Sequence, residues 1–434
     1  MGGVCSRKRD LLDEDDLRST DVTAGRQGKC PSLMELCVAK VSEDIKRYTS
    51  FSMLPRDLSQ QIFNELVESH CLTDGSLEAF WDCALQDIHL GEYPGVKDGW
   101  MGIVSSQGQS LLSLDISCSD VTDSGLFLLK NCSNIQSLKC NYCDEISDYG
   151  LEHISDLKKL ESLNIRYCNC VTDADMEPLS GLSKVAHLNL EGCPVTSSCL
   201  DVISGLQKLK VLNLGFNNIT DACLVYLKGL LQLKCLELSD TEIGSNGLSH
   251  LSGLHNLESI NLSFTAVTDG GLRRLSGLTS IKSLNLDVRQ ITDVGLTAIT
   301  SLTGLTHLDL FGARITDLGT NCFRHFKNLL SLEVCGGSIT DAGVKNIKDL
   351  KSLTLLNLSQ NCNLTDKTLE LISGLTALVS LNVSNSRITN AGLQHLKPLK
   401  NLRSLTLESC KVTATEIKKL RLAALPNLLS VRPE

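Results

Sequence analysis

Residues 209–232 read LKVLNLGFNNITDACLVYLKGLLQ, and residues 257–280 read LESINLSFTAVTDGGLRRLSGLTS. Both open with L-x-x-L/I-x-L, pass through an Ile/Val-Thr-Asp triplet, and carry two leucines three residues apart. The opening apolar residue recurs at Leu111, Ile135, Leu160, Val185, Leu209, Leu233, Leu257, Ile281, Leu305, Leu329, Leu353, Leu378 and Leu402. Self-similarity at a fixed short period marks a solenoid, in which each unit closes its core only against its neighbours. A more divergent unit opens at Leu85, where Val96-Lys97-Asp98 stands in the place of Val171-Thr172-Asp173. About fourteen units therefore span 85–426, and a half-unit near Leu428, within 427–434, reads as a C-terminal cap strand and tail.

The spacing dictates the local structure of a unit. Alternation in L-x-x-L-x-L makes a short strand with Leu212 and Leu214 pointing inward. The next inward slot holds Cys143, Cys168, Cys193, Asn217, Asn361 or Cys410, small groups that can bond buried backbone or fill space. The third residue of the triplet is Asp in most units, Ser at 197 and 245, Asn at 390 and Ala at 414. Those are N-cap residue types, so this position is expected to cap a short helix. Leu224 and Leu227 then bury one helix face, and Ser-Gly-Leu, as at 204–206, ends the helix on glycine.

Composition agrees with one thin core repeated many times. The 434 residues include 80 Leu and 19 Cys, while Phe, Trp and Tyr together make up 4%. A net charge of −9 lacks the basic footprint of a nucleic-acid binder, so no nucleic acid is expected as partner. A hydrophobic fraction of 42% excludes wholesale disorder. No stretch approaches the roughly 18 apolar residues of a membrane span. The N-terminus MGGVCSRKRD lacks an apolar signal region, so the chain is expected in the cytoplasm rather than secreted, with its thiols free.

No Gly-rich phosphate loop, His-Glu-x-x-His or nucleophile elbow occurs, so neither catalysis nor a cofactor is expected. Cys140-x-x-Cys143 and Cys168-x-Cys170 have the outline of half a zinc site. Repeat phase turns Cys140, Cys143 and Cys168 inward as packing thiols, and no metal is expected.

The units resemble the leucine-rich repeat family, in particular the cysteine-containing subclass of F-box and related ubiquitin-ligase receptors. The resemblance covers about 85–430; the units are slightly short for that subclass, and several replace the Cys. It implies an α/β horseshoe with a parallel sheet on the concave side and helices outside. Fourteen strands at roughly 4.8 Å would make an inner arc of about 60–65 Å, a large binding surface. In this phase the solvent-facing strand positions include Asp87, Asp115, Lys139, Asn164, Arg166, Glu191, Glu237, Asp240, Asp287, Asp309, Glu333 and Glu408, with acids in excess. Tyr142, Tyr167, Phe216, Phe264 and Phe311 fall at the strand edge, where exposed rings often anchor protein interfaces. With Arg166 they form a candidate site for a basic or mixed protein segment; alternatively, the face follows the Ser- and Asn-rich repeat consensus.

Two features precede the repeats. Met1-Gly2-Gly3-Val4-Cys5-Ser6 fits the N-myristoylation pattern on Gly2. Cys5 is a palmitoylation candidate, and Arg7-Lys8-Arg9 would favour an anionic leaflet, so residues 1–30 read as a tether to the cytoplasmic face of the plasma membrane. In 31–84, Ser32 with Glu35 makes a capping box opening a helix through about Tyr48, with Leu33, Cys37, Val41 and Tyr48 in one apolar stripe. A second helix follows Pro55, with Leu58, Ile62, Phe63 and Leu66 on its buried face. Ser32-Leu33-x-x-x-Cys37-x-x-x-Val41 is similar to the elongin-binding box of cullin-ligase receptors, and Leu54-Pro55 with Ile62-Phe63 partly resembles an F-box. That resemblance implies an elongin-C or Skp-type adaptor and a cullin as partners, with Leu33, Cys37 and Val41 as adaptor-binding residues. The other reading is a helical cap, which an open solenoid needs.

Overall fold

The computed structural model describes residues 31–173 and 176–432. The chain divides into two compact units, Met1–Phe80 and Trp81–Glu434. The division falls slightly before residue 84 because Trp81–Ala84 already belong to the repeats. Asp82 N donates to Ser106 Oγ (3.0 Å) and Leu85 N to Gln107 Oε1 (2.9 Å).

The first unit is helical. Helix α1 (Leu33–Glu43) opens on the capping box: Glu35 N donates to Ser32 Oγ (3.2 Å), and Ser32 N to Glu35 Oε2 (2.6 Å). It stops at Glu43, and only a 3₁₀ turn, Ile45–Arg47, continues toward Tyr48. Helix α2 (Arg56–Glu68) buries Ser59, Ile62, Phe63 and Leu66, while Leu58 is half-buried. The buried residues of α1 and the following turn are Val38, Ser42 and Ile45, and α1 packs on α2. The stripe Leu33–Cys37–Val41–Tyr48 is therefore not the packed face: Leu33, Cys37 and Tyr48 are exposed and Val41 half-buried. Phe80 closes this core, 5.0 Å from Phe51 and 5.3 Å edge-on to Phe63 between ring centroids.

The second unit is a leucine-rich repeat solenoid of the horseshoe class, with strands inside and helices outside. Among the described residues, fifteen three-residue strands, from Asp87–His89 to Ser430–Arg432, form one parallel sheet in sequence order. Each strand residue pairs with its counterpart one unit on, as Ser259 with Ser283 and Ile260 with Leu284. The central residue is buried and its neighbours face outward. On the return side run short helices, some α (Asp148–Ile154) and some 3₁₀ (Asp221–Gly229), since a 24-residue unit leaves room for only one to three turns. The core is a ladder of Leu, Ile and Val; Phe323 and Phe326 are its fully buried rings.

The helix-opening triplet works differently from the N-cap expectation. The cap is the second residue: Thr122, Ser147, Thr292, Thr340, Thr365 and Thr389 accept a backbone N–H two residues on. Asp, one residue later, is the first helical residue, and its carboxylate reaches the next unit. Asp123 accepts from Ser147 N (2.8 Å) and Oγ (2.6 Å), and Asp269 from Thr292 N (2.8 Å) and Oγ1 (2.6 Å). Where Asp is replaced, a smaller link remains: Thr268 N donates to Ser245 Oγ (3.0 Å), and Thr413 N to Asn390 Oδ1 (2.9 Å). A second ladder uses the inward slot. Cys143 Sγ donates to Ile116 O (3.2 Å), Cys193 Sγ to Ile165 O (3.1 Å) and Asn217 Nδ2 to Leu190 O (2.8 Å). These side chains give carbonyls of the preceding unit a hydrogen-bond partner, although Leu190 O also accepts from Cys193 N (3.2 Å).

Candidate functional site on the strand face

Every unit presents the same outward positions, so side chains of equal register form columns running across the sheet. Just after most strands the chain turns through a left-handed residue. Tyr142, Tyr167, Phe216 and Phe264 occupy that position with φ between 54° and 59°. Gly192, Gly312 and Gly336 occupy it in other units. Glycine adopts this conformation without the roughly 1–2 kcal/mol penalty that a Cβ incurs. Four bulky rings therefore stand where the backbone itself favours glycine.

The structure brings three of the rings and Arg166 together. Tyr142 stacks on Tyr167 with centroids 4.9 Å apart and planes 6° from parallel. Tyr167 leans over Gly192, where a Cβ would collide with its ring, and lies 6.5 Å from Phe216. The Arg166 guanidinium lies 5.7 Å from the Tyr142 ring centroid. Tyr167 OH donates to Glu191 Oε1 (3.1 Å), and burial together with that carboxylate pushes the phenol pKa upward. Phe264 stands alone in register two units beyond Phe216 and is 60% exposed. Phe311 is not in this column. Gly312 takes the left-handed turn of that unit, which moves Phe311 one residue back onto the strand face, half-buried.

The acidic positions also differ from simple solvent exposure. Glu191 and Glu237 are buried, because parallel strands crowd their outward side chains against those of the next unit. Glu191 also accepts from Asn213 Nδ2 (3.1 Å). Asp309 accepts from Phe311 N (2.8 Å); burial, reinforced by Glu333, pushes its carboxyl up to about 7. Burial likewise pushes Asp287 up to about 6, with Arg289 opposing. Glu92 and Cys118 share the ring register, with φ of 63° and 58°. Sequence reasoning passed them over because it searched this column for aromatics, although counting from Leu85 and Leu111 reaches both.

The remaining candidates lie elsewhere. Leu33 and Cys37 are exposed on α1 and Val41 is half-buried. Gly2 and Cys5 lie outside the described residues. Cys140, Cys143 and Cys168 are buried and Cys170 is exposed. Cys168 Sγ donates to Cys140 O (2.9 Å), and burial raises the pKa of all three inward thiols. No group of three His, Cys, Asp or Glu side chains converges to hold a metal among the described residues. Among them, too, no helix is long and apolar enough to cross a membrane.

Two leucine-rich repeat family models match the chain, one over residues 327–388 and another at 109–130, 157–180, 205–227, 232–252 and 253–276. A comparison with curated proteins finds no match. Among solved structures, an internalin from Listeria monocytogenes is similar at 26% identity and a TM-score of 0.58, over 75% of this chain and 88% of the internalin. A leucine-rich repeat protein of Leptospira interrogans is similar at 18% identity and TM-score 0.53, over 90% and 97%. The mouse RP105/MD-1 complex matches at 20% identity and TM-score 0.52, over 78% of this chain and 57% of that one. Those two lower identities speak to fold alone. The repeat period, the parallel strand ladder and the family matches together support a leucine-rich repeat solenoid, a type of fold that acts in protein binding.

Proposed function

We propose that the chain binds a protein target through its strand face and serves as the substrate receptor of a cullin-type ubiquitin ligase, SCF-like or elongin-type. The target-binding half of this reading rests on the rings held at left-handed φ, a placement that works against backbone preference. The adaptor-binding half rests on α1. Leu33 and Cys37, which match the elongin-binding box, are exposed, while Val38, Ser42 and Ile45 do the packing. An apolar helix face left outside the core is what an adaptor pocket engages. The test is a pull-down of the full chain with elongin C and with a Skp-type adaptor. Association with one of them, lost on Leu33→Ser combined with Cys37→Phe, supports the receptor role. Absence of both associations, or indifference to the double substitution, ends it.

Lipid anchoring is a separate proposal, carried by Gly2 in its myristoylation context, the adjoining Cys5 and the basic run Arg7–Arg9. It makes the chain a scaffold at the cytoplasmic face of the plasma membrane, with or without a ligase role. Gly2→Ala is expected to move the protein from the membrane fraction to the soluble one. Equal partitioning of variant and parent sinks the idea.

A further inference from the structure

Where a helix returns to the next strand, most units use small, uncharged residues around one buried leucine. Ser276-Gly277-Leu278-Thr279, Thr300-Ser301-Leu302-Thr303 and Ser373-Gly374-Leu375-Thr376 are three examples. One unit departs from this and reads Arg324-His325-Phe326-Lys327, with Phe326 buried and the three basic side chains exposed. Together with Thr303 and Asn328, those three line an open hollow of about 680 Å³, and no carboxylate lines it. Lysine at the Lys327 position has an ordinary use elsewhere in the chain. Lys351, one unit on, donates to Lys348 O (2.8 Å) and Gly374 O (3.3 Å), and Lys400 donates to Ala424 O (2.9 Å). These ammonium groups meet carbonyls at helix ends, where the dipole favours a cation. Lys327 is not used in this way. Among the described residues its ammonium makes no hydrogen bond or ion pair, not even with Asp349, which replaces glycine at the corresponding return of the next unit. Arg324 spends only its Nε–H, on His325 Nε2 (3.4 Å), and its outer pair of nitrogens is unbonded among the same residues. The hollow thus gathers hydrogen-bond donors and positive charge that the fold itself does not consume.

We propose that this hollow binds a phosphomonoester, carried either by a small phosphorylated metabolite or by a lipid headgroup. The planar fork of a guanidinium matches two phosphate oxygens at once, and an ammonium adds a point charge beside it. The volume, about 680 Å³, lies within the roughly 300–1,000 Å³ of small-molecule sites, so there is room for more than the phosphate. Thr303 Oγ1, unbonded among the described residues, is placed to meet a hydroxyl of the remainder. Asn328 is already engaged, since its Nδ2 donates to Thr303 O (3.1 Å) as Asn401 does to Thr376 O (3.0 Å). The site lies on the helix-to-strand returns, apart from the strand face, and stands whatever that face binds.

The test is calorimetric titration of the full chain with glycerol 3-phosphate, with glycerol as the uncharged control. A parallel arm measures flotation with phosphatidylcholine vesicles containing or lacking phosphatidic acid, which carries the same phosphomonoester. Flotation uses the Gly2→Ala chain, so that an acyl anchor contributes nothing. Saturable binding of glycerol 3-phosphate is expected, and none of glycerol. Arg324→Thr combined with Lys327→Thr gives this return the residues of Thr300 and Thr303 one unit earlier. The double variant should therefore keep the parent's urea midpoint while weakening binding about tenfold or more. Arg324→Lys keeps the charge and loses the fork, and should bind severalfold more weakly. Lys228→Gln removes a cation from the Arg324 position of another unit and should change nothing. Flotation that requires phosphatidic acid and is lost in the double variant identifies the headgroup as the source. Binding of glycerol 3-phosphate without flotation identifies a free metabolite, and either result supports the hollow. Failure of both probes, indifference to the double variant, or an equal loss with Lys228→Gln overturns the proposal.

Discussion

Asp317 accepts from Thr340 N (2.8 Å) and Oγ1 (2.7 Å), and Gly343 sits so close that a Cβ there would overlap Asp317 Oδ1. The Thr-Asp-x-Gly pattern is thus one device: Asp links forward, and glycine in the next unit makes room for it. Asp317→Ala is expected to lower stability by about 1–3 kcal/mol in urea unfolding, through the two lost bonds. Gly343→Ala should also destabilise, but much less in the Asp317→Ala background, so the pair is strongly non-additive. Asp309 offers a pH test. Its folded pKa of about 7 lies above the ordinary 3.8, so the folded state binds more protons, and stability falls as pH rises from about 4 to 7. Asp309→Asn should therefore be more stable than the parent at pH 8 and converge with it near pH 4, measured as urea midpoints. The Asp positions were legible in the sequence; their partners were not, because an N-cap and a link to the next unit call for the same residue type.

Helix α1 shows how far periodicity reaches. Ser32 and Glu35 announced the helix start, and the capping box is present on both arms. Ser32→Ala is expected to weaken α1 by about 1 kcal/mol, visible as faster amide exchange across Leu33–Glu43 with little change in α2. Which face packs was not decided by spacing, since Leu33–Cys37–Val41 and Val38–Ser42–Ile45 are both spaced for a helical stripe. Contact with α2 selected the second, although Ser42 makes it the more polar of the two. In the repeats the ambiguity vanishes. Each interior strand is flanked by two copies of itself, and a one-residue slip would turn every buried leucine outward.

A solenoid bonded only to nearest neighbours should tolerate loss of one whole unit. Deleting residues 257–280 would bring Cys235–Glu237 beside Ser283–Asn285 and Ser245 beside Thr292, the same types of contact as before. It would also remove Glu258, which bridges Lys234 (2.8 Å) and Lys282 (2.6 Å) at the surface. This variant is expected to fold, with unchanged circular dichroism per residue and monodisperse elution; deleting only 257–268 should leave it unfolded or aggregated. Period, strand phase and the aliphatic core could be read from residue order alone, because the hydrophobic pattern of a unit recurs at fixed separation and admits one way of stacking. Tertiary structure alone decided which outward residues became buried, as Glu191 and Glu237 did, and where rings met. Tyr142 stacks on Tyr167 while Phe311 leaves the column. Such outcomes depend on side chains one unit apart in space and about 24 apart in sequence, whose packing no single unit specifies.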